Sequence, residues 1–400
     1  MDSHFDSSNT RVGRHVTTIA FNEAVRAYVP PPLPPSPPLE FSGLMNLLSH
    51  ADRAVGRLDG IAMMLPDKAL FLYLYVRKEA VLSSQIEGTQ STLDDLLRFE
   101  NAALAGKPID DITEVSNYVD AMMFGLARMR DPSPQGLPLC LRLLRQMHER
   151  LLRSGRGQAK NPGEFRNSQN WLGGSRPGNA IYVPPPVQEM QTCLNDLEAF
   201  MQDDANTLPP LIKAGLLHVQ FESIHPFLDG NGRLGRLLIA LFLVDQQVLK
   251  EPLLYLSLYL KTHRAEYYQL LQEVRERGTW EAWLEFFLKG VTQTANNAFD
   301  SAMSIVALFK KDRERISASP EHTNSMLRIH ELLQTHPFVN AAQAAEKTRL
   351  STPTVNAALA ALEALGVVRE VTGKQRSRVF AYQDFLSILD DGTEVAAARV

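Results

Sequence analysis

Cysteine is nearly absent: Cys140 and Cys193 are the only two in 400 residues. Two thiols cannot build a disulfide scaffold or, by themselves, a structural zinc cluster. Long apolar runs are missing too. Even residues 237–244 fall far short of the ~20 needed to span a bilayer. The start, Met1-Asp2-Ser3-His4, has no charged segment leading into an apolar core, so it does not read as a secretory signal. Nor is there a surplus of positive charge. Lysine plus arginine is 41 against 45 acidic residues, a formal charge of -4. That excludes a protein that coats nucleic acid through bulk charge, though one basic patch stays open. Together these absences predict a soluble, cytoplasmic protein with no membrane partner.

What is present is mostly helix. Apolar residues recur at three- and four-residue spacing over 44–58, 69–86, 93–104, 112–129, 139–152, 188–201, 211–221, 234–248, 267–274 and 280–291. Before them lie a polar stretch, 1–20, expected to be a flexible tail, and a proline run over 30–38, expected to lie as a stiff strap. The helical rhythm breaks once. Residues 166–186 carry Gly173, Gly174, Pro177 and Gly178, then Ile181-Tyr182-Val183 and three prolines, which predicts an inserted β-hairpin. After a charged stretch with Pro320, helical patterns at 325–334, 341–347 and 352–365 precede two short apolar strands near 367–371 and 379–382. Three helices and a two-stranded wing are the outline of a winged helix.

The chemistry concentrates in His225-Pro226-Phe227-Leu228-Asp229-Gly230-Asn231-Gly232-Arg233-Leu234-Gly235-Arg236. Three of its glycines fit a dinucleotide fingerprint, but that signal needs a preceding strand, and the preceding segment reads as helix. Gly230 and Gly232 permit a tight loop, and the helix that follows turns its free N–H groups and positive end toward it, a ready anion site. Arg233 and Arg236, three apart at the helix start, can grip two phosphates. Asp229 offers a carboxylate where Mg2+ could bridge phosphate oxygens. His225 has the near-neutral pKa of a general base. The set amounts to a kit for phosphoryl or nucleotidyl transfer.

This segment matches the Fic family motif, HPFx(D/E)GNGRxxR, at every fixed position, and the chain resembles a Fic protein adenylyltransferase. The resemblance implies a mainly α fold: a helical Fic core with a short β-hairpin flap, followed by a small winged helix-turn-helix domain. The implied division is a tail at 1–20, a Fic-associated region with strap and inhibitory helix at 21–110, a catalytic core at 111–309, a linker at 310–322 and a winged helix at 323–390. Implied chemistry is transfer of AMP from ATP to a Ser, Thr or Tyr hydroxyl of a target protein. His225 would take the hydroxyl proton and Asp229 would hold Mg2+. The run Gly230, Asn231, Gly232, Arg233, Leu234, Gly235 and Arg236 would bind the nucleotide. Within it, the 230–232 amides and the Asn231 side chain would face the α-phosphate, Arg233 the β-phosphate and Arg236 the γ-phosphate. Tyr268 would form a wall of the adenine pocket.

Upstream, Ser83-Ser84-Gln85-Ile86-Glu87-Gly88 fits the family's inhibitory pattern, (S/T)xxxE(G/N), through Ser83, Glu87 and Gly88. A bidentate pair between Glu87 and Arg236 would occupy the arginine needed for the γ-phosphate. The same glutamate leaves a second direction open, removal of AMP by a positioned water. In the flap, Ile181, Tyr182 and Val183 are expected to pair with an extended target segment through main-chain hydrogen bonds. The tail leaves DNA open as a partner over 323–390, and with it a reading as a transcription regulator. Its 352–365 helix lacks lysine and arginine, so the wing over 373–378 is the better phosphate contact. A homodimer is left open as well.

Overall fold

The computed structural model describes residues 11–64, 68–100, 110–373 and 378–390. The fold opens on a hairpin, β1 (Arg14–Ala20) and β2 (Glu23–Val29), paired antiparallel with Ala20 opposite Glu23. Its two turn residues, Phe21 and Asn22, both take positive φ, 50° and 62°, the backbone that suits a two-residue hairpin turn. The expected flexible tail is thereby corrected, because residues 14–20 are strand. Ala20, Val25 and Ala27 pack with Val183 and against Trp171 and Ala180. The proline run then crosses the surface, with Gln220 donating to the Pro31 carbonyl at 2.8 Å and Arg11 to that of Pro37 at 2.9 Å.

Eleven helices follow among the described residues: α1 (Met45–Met64), α2 (Lys68–Ile86), α3 (Leu93–Glu100), α4 (Asp110–Arg130), α5 (Leu141–Leu151), α6 (Val187–Met201), α7 (Pro210–Ile224), α8 (Asn231–Asp245), α9 (Ser257–Thr262), α10 (Arg264–Arg277) and α11 (Trp280–Ala318). Helix α7 is central, with every residue from Leu211 to Ile224 buried. A helix apolar on all sides must be enclosed, and α6, α8 and α11 pack on it. Two of its polar side chains are matched within the fold: Lys213 donates to the Asp203 carbonyl at 3.0 Å, and His218 bonds the Gly235 carbonyl and the Tyr267 hydroxyl at 3.1 and 2.8 Å; Glu222 Oε1 is buried without a partner. Helix α1 lies along α11, and α2 lies against α4, α8 and α9. That course brings the last turn of α2 to the start of α8.

Between α5 and α6 the expected hairpin is reduced to one antiparallel bridge, Leu172 with Tyr182, and a single 3-10 turn, Pro177–Asn179. The three prolines at 184–186 remove the N–H donors that a longer ladder needs.

The expected linker is also corrected. Helix α11 runs unbroken for 39 residues to Ala318, so residues 310–318 are helix. Phe309, Asp312 and Ile316 form its buried stripe there. Beyond it come α12 (Asn324–Thr335), β3 (Phe338–Asn340), α13 (Ala341–Thr348), α14 (Thr352–Ala364), β4 (Arg369–Glu370), β5 (Val379–Ala381) and α15 (Gln383–Asp390). The strands form one antiparallel sheet in the order β3-β5-β4. Strand β3 and helix α15 add to the expected outline. The Tyr382 hydroxyl donates to Asp312 at 2.8 Å, and the Tyr382 and Phe385 rings lie against Phe309. Helix α15 reaches back to α2 and α3. The expected wing contacts at 374–377 lie outside the described residues. No helix among the described residues is long and apolar enough to cross a membrane.

Candidate active site

Helix α7 ends on His225, which takes the left-handed conformation with φ 48°. A non-glycine residue pays roughly 1–2 kcal/mol for that backbone, and Pro226 cannot continue the helix. Surrounding groups hold the turn in place. Arg166, 1% exposed, donates from Nε to the His225 carbonyl at 3.0 Å and from its backbone to the Pro226 carbonyl at 2.9 Å. Asn170 donates to the Phe227 carbonyl at 3.0 Å. The imidazole Nδ1 lies 4.0 Å from Glu222 Oε2. Burial, with Arg275 and Arg166 adding positive charge, pushes the His225 pKa down to about 3. The near-neutral value expected from the sequence is thereby corrected: the ring is neutral at pH 7 and free to accept a proton, but it is a weaker base than an exposed imidazole. Burial also pushes the Glu222 carboxyl up to about 7.

The loop after His225 is closed by its own side chains. Asn231 Oδ1 accepts from the Phe227 N–H at 2.9 Å, and Nδ2 donates to the Phe227 carbonyl at 2.8 Å. In this structure the Asn231 amide shapes the loop. Gly230 opens α8 at φ 76°, which favours glycine. Asp229 accepts from the Gly230 N–H at 2.6 Å and is 41% exposed at its side chain. His148 stacks on Phe227 with ring centroids 3.7 Å apart. Its Nδ1 accepts from the Gly163 N–H at 2.9 Å, and Nε2 donates to the Asp229 carbonyl at 3.0 Å.

Both arginines are buried and paired. Arg233 meets Glu114 at 3.3 Å and Asp229 at 3.5 Å. Arg236 donates from Nε to Ser83 Oγ at 2.8 Å, and from Nη2 to the Ser83 carbonyl at 3.0 Å and Glu87 Oε1 at 2.6 Å. The contact with Glu87 is single, not the bidentate pair expected; the serine takes the second end of the fork. Burial disfavours charge on Arg236, but Glu87, with Tyr267 and Glu222, raises the guanidinium pKa on balance. Burial likewise disfavours charge on Glu87, yet Arg236 holds its pKa below the ordinary carboxylate value. A Cβ on Gly232 would lie 2.3 Å from Glu87 Oε1, so the carboxylate rests against the first turn of α8. Gly88 follows at φ 102° and ends the helix.

Other predicted residues divide. The Leu234 side chain is fully buried in the core. Gly235 is buried as well, and a Cβ there would meet Glu222 Oε1 at 2.7 Å; its lack of a side chain serves packing. Tyr268 is 41% exposed, and burial and the nearby Glu87 raise its pKa, so it borders the site, whereas Tyr267 belongs to the core. In the flap, Ile181 is 75% exposed but Tyr182 and Val183 are buried. The Val183 carbonyl accepts from the Tyr28 N–H at 2.9 Å. That edge is therefore partly filled by the chain's own β2, which corrects the expectation of a free docking strand. Sequence reasoning missed Glu114, His148 and Arg275.

A single aspartate is a poor standing metal site, and no cluster of three metal-binding side chains occurs among the described residues. It does suit Mg2+, which keeps several waters and binds through one or two carboxylates plus substrate phosphates.

Comparisons with known proteins fit this geometry. Residues 45–127 match the Fic/DOC family N-terminal model, 138–243 the Fic/DOC family model, and 324–369 a winged helix-turn-helix DNA-binding model. Protein adenylyltransferase Fic of Drosophila grimshawi is 30% identical over 194 residues, covering 48% of this chain and 36% of that protein. The Aedes aegypti protein of the same name is 30% identical over 175 residues, covering 44% and 32%. The chain thus spans about a third of the length of these curated relatives. A Fic family protein from Desulfovibrio desulfuricans G20 shares the fold at TM-score 0.53 and 19% identity, over 86% of this chain and 97% of that one. Residues 45–127 and 138–243 are thus a Fic/DOC family N-terminal region and a Fic/DOC family domain, followed at 324–369 by a winged helix-turn-helix module.

Proposed function

We propose that the chain is a protein adenylyltransferase, moving AMP from ATP to a Ser, Thr or Tyr hydroxyl of a target protein and of itself, and restrained by its own Glu87. One observation carries this reading: a neutral imidazole, His225, stands at the mouth of an N–H-lined helix start that also holds two buried arginines. His225 accepts the proton of the hydroxyl. The freed oxygen attacks the α-phosphorus, and pyrophosphate leaves with the bonding electrons. Amides over 230–232 would face the charge that grows on the α-phosphate, the Gly230 N–H once it leaves Asp229. Arg233 and Arg236 hold the outer phosphates once Glu87 withdraws. Asp229 would hold Mg2+, which when bound neutralises part of the triphosphate charge. The relatives named protein adenylyltransferase support this direction.

A role in DNA binding rests on the tail alone. There α14 exposes Thr352, Thr354 and Asn356, and carries no lysine or arginine. The enzyme reading is therefore the stronger. It is tested by intact mass measurement of the chain and its Glu87→Gly variant after incubation with ATP and Mg2+. A gain of one AMP is expected. Absence of any gain, with no ATP uptake by either protein in calorimetry, would overturn it.

A further inference from the structure

Behind Ser83 lies a buried acid that the transfer reading does not use. Glu79 and Ser83, four residues apart, share one face of α2. Glu79 is buried. Its Oε1 accepts from the Tyr118 hydroxyl of α4 at 3.2 Å and from the Ser257 hydroxyl at the start of α9. Its Oε2 is buried without a partner. Burial pushes the carboxyl up to about 7, against the pull of Ser257, Arg236 and Tyr118.

The hydrogen bonds that reach this acid run in one direction. Arg236 Nε donates to Ser83 Oγ at 2.8 Å. Burial and Glu79 raise the Tyr118 pKa well above its ordinary value, and the Ser83 hydroxyl, as a donor to the Tyr118 oxygen, pulls against them. Tyr118 in turn donates to Glu79. The chain leads from a guanidinium through two buried hydroxyls to a carboxylate, and in an interior without water each link polarises the next. Arg236 thus answers to two acids. Glu87, 39% exposed at its side chain, takes an Nη2 donor directly at 2.6 Å. Glu79 acts on the Nε edge through its relay. On the opposite edge, a Cβ on Gly232 would stand 3.1 Å from Arg236 Nη1, so this edge lies against the first turn of α8.

We propose that Glu79 is a positioning residue: through Tyr118 and Ser83 it fixes the Nε edge of Arg236, so that the Nη edge stays aimed at the first turn of α8 when Glu87 gives way to a γ-phosphate. The proposal rests on the adenylyl-transfer reading for that phosphate. Glu87 is then the exchangeable anion and Glu79 the permanent one. A carboxylate in this place would also repel nucleotide by its bare charge. Bare charge acts on every phosphate and has no need of Tyr118, whereas a fixed guanidinium matters to the γ-phosphate.

The test uses the full chain carrying Glu87→Gly, at pH 8, above the Glu79 value of about 7. Glu79→Gln, Tyr118→Phe and the pair are added to it. Glutamine keeps the size and one acceptor and removes the charge. Calorimetry with ATP and with ADP gives the affinities, and self-incorporation of labelled AMP gives the maximal rate. Glu79→Gln should lower the rate at saturating ATP by at least about tenfold, since a misplacement of about 1 Å can cost about a hundredfold. It should weaken ATP several-fold and leave ADP unchanged. Tyr118→Phe should do the same, and the pair no more than either alone. Thermal melts report whether each variant folds. An unchanged rate and ATP-to-ADP ratio in folded Glu79→Gln, tighter binding of both nucleotides, or an effect of Glu79→Gln that survives in full beside Tyr118→Phe would overturn the proposal. Loss of rate with these signatures supports it. If Glu87→Gly neither incorporates AMP nor binds ATP, the transfer reading falls, and the melts then decide the relay. A drop in melting temperature for the pair smaller than the sum of the single drops supports the tie from Glu79 through Tyr118; a drop equal to that sum overturns it too.

Discussion

Arg236 is anchored to Glu87 across 2.6 Å, and the same guanidinium is held twice by Ser83. The last turn of α2 thus takes the donors that a γ-phosphate would need. A closed arrangement favoured by about 3 kcal/mol leaves the open one near 1% populated. Glu87→Gly is therefore expected to raise AMP incorporation by up to about a hundredfold, measured with labelled ATP. Ser83→Ala removes only the hydroxyl acceptor and should release less. Equal rates for Glu87→Gly and its parent would remove the restraint from the account.

His225→Ala should abolish transfer, by at least about a hundredfold as for loss of a positioned base. The phosphate cradle and both arginines remain, so ATP affinity should stay within a few-fold of the parent in calorimetry. Undiminished transfer would eliminate the assigned base.

The pH dependence follows from the same residue. With its pKa near 3 in the fold, His225 is neutral across the neutral range, so the kcat/KM of the Glu87→Gly variant should show no acid limb near the ordinary histidine value of about 6.5. The linkage sign is set by the unfolded chain, which binds this proton below about 6.5 while the fold refuses it until near 3. The stability His225 contributes is full above the unfolded value and is lost as pH falls through that window. Glu222, raised to about 7 and 4.0 Å from the ring, could add a limb of its own; a limb near 6.5 that persists in Glu222→Gln would show an imidazole more open to water than the structure has it.

Tyr382→Phe keeps the ring against Phe309 and removes the hydroxyl from Asp312, which is 1% exposed and also receives Arg315 at 2.9 Å. Leaving a buried acceptor short of a donor costs about 1–3 kcal/mol. Calorimetric scanning of the full chain should show a lower melting temperature, while AMP incorporation by the core persists.

The motif at 225–236 could be read from sequence because its parts are contiguous: loop, helix start and arginines are fixed by local geometry. Ser83 and Glu87 could be read for the same reason, though their single-sided grip on Arg236 depends on packing between distant helices. Other features were hidden for identifiable reasons. The β1–β2 turn is made by Phe21 and Asn22, without the glycine that marks most such turns. The charge-rich stretch at 310–318 looks like a linker because its outward face is mostly lysine, arginine and glutamate. Phe309, Asp312 and Ile316, spaced for one helical face, carried the contrary signal. Glu114 and His148 support Arg233 and Asp229 from other helices, and nothing in their own neighbourhoods announces it. Asn231 sits in the motif, but only the folded loop shows its amide spent on Phe227.

Helix α11 passes from the motif domain into the winged tail without a hinge, about 58 Å of rod at 1.5 Å per residue over its 39 residues. The two parts share one axle. The distance between the tail and the helices α1 and α7, on which α11 packs, is thus set by one continuous helix.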